Sequence, residues 1–157
     1  PKAERLGHEQ CLKPAAQLSR HAKRAPQEES GRWQGMAERQ DRMNYWLMKS
    51  EPSSWSWDDQ QTKGDEGEGW DGVRNYQASN NMKAMEIGDL AFFYHSVNEK
   101  QIVGIVEVIE LYHPDPTDAS GRFGMVTVKA VKSMTRPVTL AEIKTDERLA
   151  DMALVRQ

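Results

Sequence analysis

The stretch Gln101-Ile102-Val103-Gly104-Ile105-Val106-Glu107-Val108-Ile109-Glu110-Leu111 decides how this chain folds. Its β-branched residues read as a strand. Gly104 interrupts that strand, and a glycine in such a place marks a bulge or tight bend, the device that curls a sheet toward a barrel. Outward from it, residues 89–95 carry Phe92, Phe93 and Tyr94 and form a second strand, joined to the first by a short hairpin loop at 97–100. On the other side a connection rich in Pro and Asp, 112–122, leads to a strand over 124–133. There Val126, Val128 and Ala130 face inward while Met125, Thr127 and Lys129 face outward. Upstream, Asn44-Tyr45-Trp46-Leu47-Met48-Lys49 is a further strand, apolar on both faces and therefore buried.

Short helices fall in the connections. A helical turn is expected over 53–59, with serine at its start, followed by a mobile acidic loop over 61–69 that Trp70 closes. Asn75 caps a helix over 76–86, on which Ala78, Met82 and Met85 make one apolar stripe, and Gly88 ends it. Thr139 caps a helix through Lys144, with Glu142 completing a capping box. A last helix is expected over 146–156, with Leu149, Met152 and Ala153 on one side. The pattern predicts an α+β fold, a small, curved, mostly antiparallel sheet or barrel with short helices in its connections.

Composition divides the chain at Met43. Of 21 Lys and Arg and 24 Asp and Glu, nine and six precede Met43, so a tail of net +3 leads into a domain of net −6. Residues 1–42 hold too little apolar surface to offset the entropy of ordering and are expected to be a disordered or expression-derived extension. Residues 43–157 suit one domain, against a norm of roughly 150 residues. No stretch approaches the roughly 20 apolar residues of a membrane span, and no signal peptide opens the chain, so a cytoplasmic protein is expected. The single Cys11 excludes an intrachain disulfide framework and a cysteine-rich zinc site. An acidic domain argues against broad wrapping of duplex nucleic acid, which depends on neutralising many phosphates.

Catalytic signatures are missing: no nucleophile elbow, no phosphate loop, no paired metal-binding histidines. His95 and His113 are the domain's histidines. Three polar clusters at the edges of aromatic elements are more informative: Lys49-Ser50-Glu51-Pro52, Gly72-Val73-Arg74-Asn75-Tyr76, and Phe93-Tyr94-His95-Ser96. The amides at the start of the helix after Asn75 offer donors, and Trp46, Trp55 or Tyr94 offer faces for a planar ring. The plain alternative is that Trp46, Phe92 and Phe93 are core and Arg74 pairs with a carboxylate.

At these residues the chain resembles the EVE domain family. The resemblance rests on Tyr45 through Pro52, Trp55-Ser56-Trp57, Gly72 through Ala78, Asn80-Asn81, Gly88-Asp89, Phe93 through Ser96, Ile102-Val103-Gly104, Pro114-Asp115-Pro116-Thr117, Pro137 through Leu140 and Leu149 through Met152. It implies a PUA-like mixed β-barrel, related to the YTH and ASCH groups, and binding of DNA with a modified base such as methylated or hydroxymethylated cytosine. Carried over, the implied pocket is Trp46, Lys49, Ser50, Trp55, Val73, Arg74, Asn75, Tyr76, Tyr94, His95 and Ser96. No cofactor or metal is implied, the partner is nucleic acid with DNA ahead of RNA, and a monomer is expected. Ser79 stands where the family usually has Arg, and Phe123 lies near the place of a common Trp. Family members continue beyond Gln157 into a further strand and helix, so the resemblance implies either a truncated sequence or an open barrel edge. In the competing reading, an enzyme acts on a modified nucleotide, with His95 as base, Lys49 and Arg74 as electrophilic helpers and Ser96 as nucleophile.

Overall fold

The bend expected at Gly104 is present, and an aromatic ring fills it. A computed structural model describes residues 11–12 and 44–156. Its strands are β1 (Cys11–Leu12), β2 (Tyr45–Ser50), β3 (Glu68–Gly69), β4 (Leu90–His95), β5 (Gln101–Pro114) and β6 (Gly124–Thr139), in one sheet of order β1-β2-β4-β5-β6-β3. The α-helices are α1 (Trp57–Thr62), α2 (Tyr76–Lys83) and α3 (Leu140–Thr145). Where β4 meets β5 the register slips, so that Phe93 faces Gly104 and Tyr94 faces Ile102, leaving Val103 as the extra residue of a bulge. A Cβ on Gly104 would lie 2.3 Å from the ring of Trp57. The glycine thus lets the sheet bend and lets the indole seat against its backbone.

All pairings are antiparallel except β2 with β4, which run parallel from Tyr45↔Leu90 to Ser50↔His95. The outer strands are β1 and β3, and among the described residues no pairing joins them. The barrel is therefore open. One face of the curl holds the main core: Trp46 and Met48 from β2, Ala91 and Phe93 from β4, alternate valines of β5 and β6, and Ala78, Met82 and Met85 from α2 and its end. Phe93 sits between Trp57 and Trp70, with ring centroids 5.3 and 5.5 Å away and both contacts edge-on. The other face carries Leu47, Tyr94 and Ile102, covered by Ile143 of α3 and by Leu154. Buried Asp89 fastens one end of the sheet, accepting hydrogen bonds from Trp46 Nε1 (2.7 Å), Asn44 N (3.2 Å) and Glu86 N (3.1 Å).

Several local expectations need correction. The turn at 53–59 becomes a helix starting only at Trp57. Ser56 is its cap, in a reciprocal box with Asp59, while Ser54 N and Trp55 N are held by Glu51 O. The segment 61–69 is ordered: a 3₁₀ turn, Gly64–Glu66, leads into β3, which pairs with Val128 and Thr127 of β6. Helix α2 ends at Lys83, though Met85 is still buried. The strand starting at Gly124 runs on to Thr139, because its pairing with β5, which lapses between Ser133 and Val138 where Pro137 has no amide to offer, resumes at Val138 with Ile102 and at Thr139 with Gln101. The last helix is replaced by a 3₁₀ turn, Glu147–Leu149, and further turns. Leu154 and Val155 join Leu149, Met152 and Ala153 in the second core. Five apolar residues so spaced do not lie on one helical stripe, and turns bury them. Cys11–Leu12, within the segment expected to be disordered, forms a short strand against Leu47 and Met48. The rest of that segment lies outside the described residues.

Asp115 organises the 115–123 connection from inside. Its Oδ2 accepts from Gly72 N (2.9 Å) and Arg74 Nη1 (2.7 Å), and its Oδ1 accepts from Thr117 N (2.7 Å) and Thr117 Oγ1 (2.6 Å). Burial pushes this carboxyl up, but the hydrogen bonds from Thr117, Arg74 and Gly72 outweigh it and hold it below the ordinary value.

Two consequences can be measured. Gly104→Ala forces Trp57 out of its seat and is expected to destabilise the fold by about 1–3 kcal/mol, the usual range for overpacking, seen as an earlier urea midpoint at unchanged slope. Asp115 favours its ionised form in the fold, so its contribution is complete above about pH 4, the ordinary carboxylate value, and is lost as pH falls through the depressed one. The gap in melting temperature between wild type and Asp115→Asn is therefore expected to stay level from pH 7 to about 5 and to narrow only as pH falls below about 4.

Candidate functional site

Parallel strands leave the sheet side by side, and the loops that follow β2 and β4 meet at one edge. Ser96 N donates to Ser50 O at 2.8 Å and Ser96 Oγ donates to the same carbonyl at 3.1 Å. Ser50 Oγ donates to Trp55 O at 2.7 Å, which folds the 51–56 loop back over the strand end. Trp57 N donates to His95 Nε2 at 3.0 Å. That bond makes Nε2 the acceptor, so the ring proton is on Nδ1 and is given to Glu99 Oε2 at 2.6 Å. The same hydrogen bond from His95 is the main reason that Glu99 titrates below the ordinary glutamate value. Trp55 is half-buried, and its Nε1 donates to Gln60 Oε1 at 2.9 Å, while Gln60, fully buried, donates through Nε2 to Val128 O. Lys63 Nζ lies 5.6 Å from the Trp55 ring centroid. The result is an indole of fixed orientation on a loop tied to the β2 end by Ser50, which is itself fully buried, while Ser96, at the β4 end, stays half-buried.

Ser50, Trp55, His95 and Ser96 thus share one network, and the other expected residues are placed differently. Trp46, Val73 and Tyr94 are core, at 2%, 1% and 2% exposure, and present no ring or methyl face to a ligand. Trp46 also lies four residues from Ser50 along β2, about 13 Å at roughly 3.3 Å per residue. Lys49 pairs with Tyr94 and Ser50 with His95. In-register partners of a parallel pair share a face and successive residues alternate, so Lys49 points to the face opposite Ser50. There, partial burial lowers its amine below the ordinary lysine value.

Arg74, Asn75 and Tyr76 form a second group. The Arg74 guanidinium is held by Asp115 and, through Nη2, by Thr117 Oγ1 at 2.8 Å, so the carboxylate pairing that was the plain alternative is what the fold contains. Its Cζ lies 5.9 Å from the Phe123 ring centroid. The side chain of Asn75 caps α2 by accepting from Ala78 N, which uses one of the helix-start amides. Tyr76 packs its ring on Phe123, with centroids 5.0 Å apart and tilted by 43°. Ser79 is buried and shares a 2.7 Å hydrogen bond with Tyr112 OH, which also accepts from Gly124 N.

Sequence reading missed Gln60, Asp115 and Phe123 as organisers of these two groups. Asp115 had a visible signal, an acidic residue between two prolines in an otherwise exposed connection. Gln60 had none, since its role depends on β6, which is far away in sequence. Among the described residues no group of three or more His, Cys, Asp or Glu is placed to hold a metal, and no helix is long and apolar enough to cross a membrane.

Comparison with known proteins agrees with this architecture. A solved structure of a Rhodopseudomonas palustris protein is 59% identical, with a TM-score of 0.68 over 71% of this chain and 77% of that one. Rat thymocyte nuclear protein 1 is 40% identical over 127 residues, covering 65% of this chain and 56% of the relative. The chain thus spans little more than half the length of that protein. Human thymocyte nuclear protein 1, solved in complex with 5-methylcytosine-containing DNA, is 34% identical with a TM-score of 0.61, over 68% of this chain and 76% of that one. The model of the EVE domain matches residues 44–157, and the chain belongs to the EVE domain family.

Proposed function

We propose that this chain binds DNA and reads a modified base, such as methylated or hydroxymethylated cytosine, at the edge where β2 and β4 end. The observation that carries the reading is the human relative's complex with 5-methylcytosine-containing DNA. Physical support comes from the network around Trp55. Taking a base out of a duplex costs a few kcal/mol, and stacking on an aromatic face returns about 1–3 kcal/mol. A ring already fixed by Gln60 loses little further freedom when a base stacks on it. Ser96 Oγ donates inward to Ser50 O and, being only half-buried, keeps lone pairs for the exocyclic amino group of cytosine, a donor, while fully buried Ser50 ties the Trp55 loop from behind. Action as a monomer in the cytoplasm, on DNA ahead of RNA, belongs to the same proposal.

The enzyme reading gains less from the geometry. His95 accepts the Trp57 amide at one nitrogen and donates to Glu99 from the other, so it has no lone pair to offer a substrate in this arrangement.

Equilibrium titration of oligonucleotides with one cytosine, 5-methylcytosine or 5-hydroxymethylcytosine tests the proposal. Wild type is expected to prefer a modified base, and Trp55→Ala to weaken that complex about tenfold, within the range measured for base stacking. Trp55→Phe, which keeps an aromatic face, is expected to retain most of the affinity. Equal binding of all three oligonucleotides by wild type would sink the reading.

A further inference from the structure

The connection between β4 and β5 breaks a local rule. Within residues 96–100, Val97 has φ 62° and Lys100 has φ 50°. Left-handed backbone suits glycine or asparagine, and Asn98 stands next to Val97, yet the β-branched residue is the one that takes the conformation. Packing does not offset the strain, since Val97 is 54% exposed. The surroundings hold the connection in this shape. Ser96 N donates to Ser50 O at 2.8 Å, and Lys100 O accepts from Leu140 N at 2.7 Å. Between them, Glu99 Oε2 accepts from His95 Nδ1 at 2.6 Å and from Gln101 Nε2 at 2.7 Å. Strain of this kind persists where the structure around it over-determines the backbone, and it gathers at sites of binding.

The place of the strained residue is fixed by register. His95 pairs with Ser50 of β2 and with Gln101 of β5, so the connection leaves the sheet at the same end as the 51–56 loop that carries Trp55. Val97 follows directly on Ser96, the half-buried hydroxyl of that edge. We propose that Val97 is a wedge that enters the base stack of duplex DNA at the step from which the read base is taken. The chemistry selects this ligand. A base taken from a duplex stays attached to its strand, so the gap it leaves lies beside the site that holds it. The faces of the neighbouring base pairs line that gap, and an apolar side chain on a projecting turn covers them. Rigid presentation favours this, because a tip already fixed by Glu99, Ser50 and Leu140 has little freedom to lose on entering the stack. The wedge rests on the reading of the chain as a binder that extracts a base, and it acts on duplex alone, since a single strand has no gap to fill.

The test uses the full chain, a duplex with one cytosine or one 5-methylcytosine, and the corresponding single strands. Val97→Asn and Val97→Gly both suit positive φ and lack the branched apolar side chain, while Val97→Leu keeps apolar bulk. V97N is expected to melt at a higher temperature than wild type and yet to bind the methylated duplex about tenfold more weakly, a part of what opening a base step costs. V97G should lose duplex affinity to the same extent, and V97L should keep it. Affinity for the single strands is expected to be that of wild type in all three. A V97N protein that binds the duplex as wild type does would overturn the wedge. So would equal losses on duplex and single strand, or a V97N melting temperature no higher than that of wild type, which would remove the strain. If wild type does not distinguish 5-methylcytosine from cytosine in either form, while V97N and V97G still lose affinity for the duplex alone, selective base reading fails and the wedge stands.

Discussion

Two parallel strands cannot be joined by a tight turn, and the parallel pairing of β2 with β4 governs the rest of this structure. The chain leaves Ser50 at one end of the sheet and must return to Leu90 at the other. Residues 51–89 make that crossover, and they hold α1, the 3₁₀ turn, β3 and α2. Both residue groups described above depend on it. Trp55, Trp57 and Gln60 are folded back over the ends from which the crossover departs, while Arg74 and Tyr76 stand where it turns into α2. The return is fastened by Asp89, which ties Trp46, Asn44 and Glu86 at a single carboxylate. A hairpin in place of the crossover would put neither group on the molecule.

Aromatic residues divide according to what holds their rings. Phe93, Trp57 and Trp70 pack edge-to-face in the core, and the Gly104 bend gives Trp57 room to do so. Trp57 Nε1 is also spoken for, by Ser133 Oγ at 3.0 Å. Trp55 sits two residues earlier in sequence, yet its ring is fixed by a buried amide side chain and remains half-open to solvent. Tyr76 and Phe123 support one another outside the core. Adjacent positions in one motif therefore serve different purposes. The distinction is one of partner and burial, not of residue type.

Much of this was legible from the sequence, and the limits have physical causes. Caps at Asn75 and at Thr139 with Glu142, the stripe of Ala78, Met82 and Met85, and the alternation through β6 are local patterns, and the structure contains each. The bend at Gly104 was legible too, although the indole that fills it was not, because Trp57 reaches it from the crossover. Grouping residues by motif failed for Lys49 and Ser50: alternation along a strand sends consecutive side chains to opposite faces, and nothing in the motif says which face matters. Trp46 and Tyr94 look alike as stacking candidates until burial is known. The segment 61–69 reads as a loop by its Gly and Glu content, but its two-residue strand is made by β6 and could not be read locally.

Charge leads to the same division of labour as geometry. The domain's net −6 argues against coating a phosphate backbone, and several of its cations are already matched by carboxylates. Arg74 pairs with Asp115, Lys63 with Glu68, Lys129 with Glu107 and Asp65, Arg136 with Glu142 and Arg148 with Asp146. Cations so matched have little counterion release to contribute on meeting a phosphate. Surfaces that do not depend on net charge remain, and the described residues include two: the half-buried Trp55 indole on the loop after β2, and the paired rings of Tyr76 and Phe123. The carboxylates that make the domain acidic are also what hold the second of these in place, since Asp115 and Asp118 between them fix Arg74 and the turn that carries Phe123. Acidity that would repel a phosphate backbone is here the scaffold of an exposed aromatic face.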